Sequence, residues 1–388
     1  MSASKRPESV ELVSELLRGQ IDRRRFVRDA LLLGLSVSAI GSVLSACGGE
    51  EKPPPPKEGD KAADKARPAD APMDKELNIY IWSDYLAPDT VPNFEKEFGV
   101  KVVVDTYESN EEAIAKLQSG ASAYDLVCPS GYAVEVMVAL NLIAPLDRAQ
   151  LPNFGNLAPR FQDLPYDPGA AYVVPWMWGL TGLAYRKDRV QVPVDSWGIF
   201  HNTSLKGKMT QMDDMRDVIG GWLKFRGRSL NSTDPAELAQ AKADALLAKA
   251  NLQSYVSAPV KSSLIAGDVL VAMLWDGDTR QAAVENPEIV FAMPKEGGPI
   301  WTDNLVMPTG APHKRAAHAF LNYVLRPEVS AAVSTATGYA TPNAGAQALL
   351  PSPVRPPEGE AAKGLEYSKD LGTNSAAWDQ IWTEIKAG

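Results

Sequence analysis

The 388-residue chain is poor in the residues that build disulfide frameworks and metal centres. It has two cysteines, Cys47 and Cys128, and three scattered histidines, His201, His313 and His318. Two cysteines cannot staple a fold, and histidines without near neighbours give no close-spaced metal ligands. Zinc chemistry and Cys/His nucleophilic catalysis therefore have no foundation, and no metal or cofactor is expected. Positive charge is also in deficit, with 39 Lys and Arg against 48 Asp and Glu for a formal charge of −9. Nucleic acid and anionic lipid headgroups demand a basic surface and are excluded as main partners, whereas a cationic ligand is permitted. A comfortable membrane span is missing too, because the most apolar run, Ala30–Leu44, is interrupted by Gly and Ser and falls short of about 20 residues. What is plentiful is core-forming material, at 45% hydrophobic residues.

Arg23-Arg24-Arg25-Phe26-Val27-Arg28 precedes that run, which ends at Leu44-Ser45-Ala46-Cys47. Basic, apolar and small residues in this order make an export signal over residues 1–47. The paired arginines followed by Phe26 resemble a twin-arginine signal. Leu-Ser-Ala-Cys resembles the bacterial lipoprotein lipobox, which implies that Cys47 becomes a lipidated first residue and anchors the protein to the membrane. The competing reading is an uncleaved N-terminal helix, and both readings leave the rest of the chain outside the cytoplasm. Loss of residues 1–47 removes seven basic and five acidic residues and takes the formal charge to −11. Residues 48–75 then carry Pro53–Pro56 and many charges with almost no large apolar side chain, the composition of a disordered tether.

From Leu77 the texture changes. Leu77–Ile81, Val100–Asp105, Leu126–Cys128 and Tyr172–Pro175 read as strands. Between them Val91–Phe98, Glu111–Leu117 and Val134–Leu140 have helical spacing. This alternation predicts an α/β fold with a mostly parallel sheet. A second set comprises the strands Gly182–Tyr185, Val269–Trp275 and Ile289–Met293 with helices Asp217–Phe225 and Pro235–Ala250, after which the strand-like Trp301–Met307 precedes a helix, Arg315–Leu325, that returns to the first lobe. Over 300 residues exceed what one core usually supports, so two lobes are expected: 77–180 with 304–342, and 181–303 with 343–388.

Ligands of open α/β sheets bind beyond the carboxyl ends of the strands. Trp82-Ser83-Asp84-Tyr85, Pro129-Ser130-Gly131-Tyr132 and Trp275-Asp276-Gly277-Asp278 stand at such ends, and Trp301-Thr302-Asp303 stands where the chain crosses between lobes. Asp213-Asp214-Met215-Arg216-Asp217 opens a helix and has capping as an alternative role. Carboxylates beside indole and phenol faces suit an organic cation. Carboxylates offset the lost hydration of a buried ammonium, and an aromatic face attracts it by about 0.5–2 kcal/mol. An anion site would need converging arginines or lysines instead. Trp176, Trp178, Trp197, Trp222, Trp378 and Trp382 read as packing residues.

At these motifs the chain resembles the bacterial periplasmic polyamine-binding proteins, the spermidine/putrescine receptors of ABC importers. The resemblance runs from about Leu77 to the C-terminus. It includes Thr106-Tyr107-Glu108-Ser109-Asn110-Glu111, Tyr124-Asp125-Leu126-Val127-Cys128-Pro129-Ser130, Pro294-Lys295-Glu296-Gly297-Gly298, Leu325-Arg326-Pro327 and Gly338-Tyr339-Ala340-Thr341-Pro342-Asn343. It implies a type II periplasmic-binding-protein fold, two α/β lobes joined by a hinge, that closes on a linear polyamine and works with a membrane permease as a monomeric periplasmic lipoprotein. It also implies that Trp82, Ser83, Asp84, Tyr85, Ser130 and Tyr132 line one lobe and Asp214, Asp217, Trp275 and Asp278 the other, with Trp301, Asp303 and Tyr339 near the crossover. Trp-Ser-Asp-Tyr and Asp278 resemble putrescine-preferring members, Trp301 and Gly-Tyr-x-Thr-Pro-Asn spermidine-preferring ones, and Ser368 stands where spermidine binders carry a glutamine. The residues alone leave open a binder of another solute, such as a sugar, opine or ferric ion, and a glycoside hydrolase using two carboxylates.

Overall fold

A computed structural model of the chain describes residues 72–120, 123–257, 260–350 and 362–388. The export signal, Cys47 and all but the end of the tether lie outside the described residues. Among the described residues no helix is long and apolar enough to cross a membrane.

The first strand, β1 (Glu76–Trp82), buries Leu77, Ile79 and Ile81 on one face and Tyr80 on the other, as a strand covered on both sides must. α1 (Thr90–Phe98) leads to β2 (Lys101–Tyr107), which pairs parallel with β1 from Glu76↔Lys101 to Trp82↔Tyr107. α2 (Asn110–Gln118) is capped by Ser109, whose Oγ accepts the Glu112 amide at 3.2 Å. β3 (Leu126–Val127) then pairs parallel on the other side of β1, and α3 (Gly131–Ala139) and β4 (Ile143–Ala144) follow.

β5 (Val173–Arg186) is one strand of 14 residues, so the segments Tyr172–Pro175 and Gly182–Tyr185, expected as separate strands, are its two ends. Pro175, Gly179 and Gly182 punctuate it in sequence, but nearly every side chain is buried, and the burial carries the strand through them. Beyond it come β6 (Met209–Gln211), α4 (Met215–Phe225), α5 (Pro235–Lys249), β7 (Leu252–Tyr255), α6 (Val260–Ala266) and β8 (Val271–Trp275). α7 (Asp276–Glu285), β9 (Ile289–Ala292) and β10 (Ile300–Pro308) follow. The strands form one sheet in the order β2-β1-β3-β10-β5-β8-β6-β7.

That sheet is mixed, a correction to the mostly parallel sheet expected. β1, β2 and β3 run parallel, as do β6, β7 and β8. β5 and β10 are antiparallel to each other and to β8 and β3 respectively. They are the two strands that join the α/β lobes. One core gathers around Leu77, Phe94, Met177 and Phe320, the other around Trp197, Trp222, Met273 and Trp378. Trp176, Trp178, Trp197, Trp222 and Trp378 are buried packing residues, and Trp382 packs half-buried on the second core.

α8 (Lys314–Val324) buries Phe320, Leu321 and Val324, with the Phe320 ring 5.1 Å from that of Phe94. α9 (Pro327–Thr337) ends at Gly338, whose φ of 74° reverses the chain toward Tyr339. The short α10 (Ala344–Gln347) stays with the first lobe, because Asn343 Nδ2 donates to the Leu325 carbonyl at 2.7 Å. The return to the second lobe, expected at 343, therefore comes later. It is established by Glu366, which accepts from Lys224 Nζ at 2.6 Å, and by α11 (Ser375–Ala387), which packs on α5 and α4.

Candidate functional site

A partly open cavity of about 160 Å³, of small-molecule size, lies between the two lobes. All thirteen side chains expected to contact ligand line it. Trp82, Ser83, Asp84, Tyr85, Ser130 and Tyr132 come from the ends of β1 and β3. Asp214, Asp217, Trp275 and Asp278 come from the starts of α4 and α7. Trp301 and Asp303 come from β10, and Tyr339 from the turn after α9.

The turn after β1 is held in shape from below. Trp82 Nε1 donates to the Cys128 carbonyl at 2.9 Å, and the Tyr107 hydroxyl donates to the same oxygen. Asp84 has a φ of 55°, a left-handed conformation uncommon outside glycine, which ends the strand sharply and lets Tyr85 turn inward to full burial. The Cys128 thiol is buried, and that burial raises its pKa well above the ordinary value, so it is held neutral.

Asp303 is buried at the cavity wall. The β5–β10 pairing shifts register between Asp303 and Asn304, a bulge that re-aims the carboxylate. Asn304, itself buried, anchors the bulge through its amide and Nδ2, both donating to the Pro129 carbonyl. Asp303 Oδ2 accepts the Tyr85 hydroxyl at 2.7 Å and Oδ1 accepts the Ser130 hydroxyl at 2.6 Å. Among the described residues no cationic side chain pairs with it. Burial pushes its pKa up to about 6, against the two hydroxyls that favour the charged form.

Aromatic rings cover this carboxylate. The Tyr339 ring meets Tyr85 edge-on at 5.3 Å and Trp301 edge-on at 5.5 Å, and its hydroxyl donates to Asp278 Oδ1 at 2.8 Å. Two glycines make the arrangement fit. A Cβ on Gly277 would lie 2.1 Å from the Tyr339 ring, and one on Gly179 would lie 2.5 Å from the Trp301 ring. Asp276 does not face the cavity; it accepts from Arg280 Nη2 at 2.6 Å and from the Leu180 amide at 3.1 Å.

On the second lobe Asp214 caps α4, accepting the Asp217 amide at 2.9 Å, while Asp217 accepts the Thr181 hydroxyl at 3.1 Å. Capping and cavity lining, held apart as alternatives in sequence, are here the same placement. Burial raises both carboxyl pKa values, and the charge of Asp214 raises that of Asp217 further. Six carboxylates (Asp84, Glu108, Asp214, Asp217, Asp278 and Asp303) line the cavity against two cations, Arg216 and Lys261. Arg216 is tied back by Lys369 O and Asn231 Oδ1, each at 3.0 Å, and its guanidinium lies over the rings of Tyr132 and Trp378. The wall of the cavity is thus acidic and aromatic in composition.

Sequence reasoning did not assign Glu108, Asn110, Ser257, Lys261 or Tyr367 to the wall. Glu108 and Asn110 fall in the quoted Thr106–Glu111 stretch; Asn110 bonds Ser130 through its amide nitrogen and carbonyl oxygen and donates to the Tyr132 hydroxyl. Lys261 and Tyr367 lie in segments whose composition gives no such signal. No group of His, Cys, Asp or Glu suited to a metal ion occurs among the described residues.

The family model for bacterial extracellular solute-binding proteins matches residues 89–367. The spermidine/putrescine-binding periplasmic protein of Escherichia coli (strain K12) is 35% identical over 319 residues, covering 80% of this chain and 92% of that protein. Among solved structures, a spermidine/putrescine ABC transporter substrate-binding protein from Streptococcus pneumoniae superposes with a TM-score of 0.70 at 28% identity, over 81% of this chain and 99% of that one. A lipoprotein of Treponema pallidum superposes with a TM-score of 0.74 at 30% identity, over 81% of this chain and 100% of that one.

Proposed function

This chain belongs to the bacterial extracellular solute-binding proteins, and on that footing we propose that the solute it captures is a polyamine, putrescine or spermidine. The observation that carries the reading is Asp303, a buried carboxylate with two hydroxyl donors and no cationic partner among the described residues, roofed by Trp301 and Tyr339. A buried carboxylate left without a counter-charge is costly, and an incoming ammonium removes that cost. The apolar methylenes of a linear amine suit the indole and phenol faces. The acids at Asp214 and Asp217 stand on the second lobe's wall for a second ammonium. Because the walls belong to different lobes, ligand contacts made only in the closed form draw the lobes together.

In this reading the closed form is delivered to the permease of an ABC importer, and the protein acts as a monomer held at the outer side of the membrane by lipid on Cys47 after twin-arginine export. The relatives are transport proteins that bind substrate and not enzymes, which sets aside the hydrolase alternative. Thermal unfolding with putrescine, cadaverine, spermidine, spermine, sugars and amino acids tests the ligand class. A polyamine at a hundred times its Kd should add about 2.7 kcal/mol of stability. A rise with sugars or amino acids and none with polyamines would overturn the reading.

A further inference from the structure

The acidic cavity already contains an amine of its own. α6 carries Lys261 to the cavity edge, where Nζ lies 3.8 Å from Asp278 Oδ1 and donates to Gln281 Oε1 at 2.8 Å. Both charged side chains are shielded, Lys261 being 23% and Asp278 12% exposed. Oδ1 of Asp278 also accepts the Tyr339 hydroxyl. Burial raises the Asp278 pKa, and Lys261 is the leading influence against that rise. An ammonium arriving at Asp278 therefore meets a carboxylate that already faces a cation, and two like charges in a poorly hydrated gap repel strongly. Asp303 differs, having hydroxyl partners and no cation among the described residues. Arg216, the other cation of the wall, is fastened to Asn231 and Lys369.

Resting on the polyamine reading above, we propose that Lys261 is a specificity-determining residue: its ammonium occupies the seat at Asp278, so the cleft favours a ligand with two ammonium groups over one with three. Calorimetry with putrescine and spermidine on the wild-type protein and on Lys261→Gln, Lys261→Met and Lys261→Arg tests this. Wild type should bind putrescine the more tightly. The Gln and Met variants should move the affinity ratio toward spermidine by at least about tenfold, the scale expected for a shielded charge contact, while Lys261→Arg keeps the wild-type order. The ratio is the readout because lost packing would weaken both ligands together. Spermidine preferred by wild type, or a ratio that moves less than about threefold in both charge-removing variants, would overturn the inference while leaving the polyamine reading intact. Wild-type protein that bound neither amine would overturn both.

Discussion

Replacing Asp303 by asparagine separates the cost of a buried carboxylate from its use. Its folded-state pKa of about 6 lies above the ordinary 3.8, so the neutral form is the one the empty fold prefers. The sign follows: stability from this group is complete below about pH 4 and is lost as pH rises through 6. At pH 7.5 a difference of about two pKa units costs the empty protein about 3 kcal/mol. Asparagine carries no charge and removes that cost. It keeps one carbonyl acceptor for Ser130 or Tyr85, and displacing the other hydroxyl costs about 1 kcal/mol. The net gain, about 2 kcal/mol, should raise the melting temperature of the ligand-free variant by about 4 °C at pH 7.5, and the gain should vanish at pH 4. In calorimetry the same variant should lose about 2–5 kcal/mol of polyamine affinity, because the ammonium then has no carboxylate to meet. A variant no more stable than wild type at pH 7.5, or one that binds polyamines with wild-type affinity, would refute the assignment of Asp303 as an unpaired charge awaiting a cation.

The same pKa sets the pH profile of binding: affinity should hold above pH 7 and fall about tenfold per pH unit well below 6, since ligand needs Asp303 ionised; a flat profile from pH 7.5 to 5 in calorimetry would contradict this. Gly277→Ala should push the Tyr339 ring from its place, since the new Cβ would sit 2.1 Å from ring carbon, costing about 1–3 kcal/mol of stability with a loss of affinity; wild-type melting and wild-type binding together would show that the ring is not fixed there. Cys47→Ser should release the protein from the membrane fraction, and fractionation that leaves it membrane-bound would favour the uncleaved-helix reading of residues 1–47.

The elements legible in sequence were those whose burial follows a simple period. β1 buries the alternate residues Leu77, Ile79 and Ile81, α1 and α8 each bury one helical face, and their expected bounds lie within two residues of the observed ones. β5 was divided because Pro175, Gly179 and Gly182 are local breaking signals. Their local preferences lose to the burial of nearly every neighbouring side chain on a strand that crosses both cores. The mixed sheet was hidden for a related reason: strand–helix alternation gives chain order, but the direction of a strand entering from the other lobe depends on distant pairing. Asp276-Gly277-Asp278 is turn-forming in composition and carries no helical signal of its own. In the fold those acids occupy the first helical turn, where the positive end of the helix favours them.

For the site, what sequence reveals is bounded by how each side chain reaches it. Trp82, Ser130, Trp275 and Asp303 stand on or just beyond strands, so a general rule about strand ends leads to them. Lys261 reaches the cavity from a helix of seven residues, and Tyr367 from the chain that returns after residue 350. Nothing local distinguishes that lysine from a solvated surface lysine; its meaning comes only from Asp278 and Gln281, seventeen and twenty positions later. The charge of the whole chain could permit a cationic ligand but could not say how many carboxylates stay uncompensated at the wall. That count depends on tertiary pairing: Asp276 is satisfied by Arg280 and Asp278 faces Lys261, while Asp303 meets hydroxyls and, among the described residues, no cation. Three aspartates of one residue type thus differ in their capacity to take an incoming ammonium, and the difference is made by the cation each has already met.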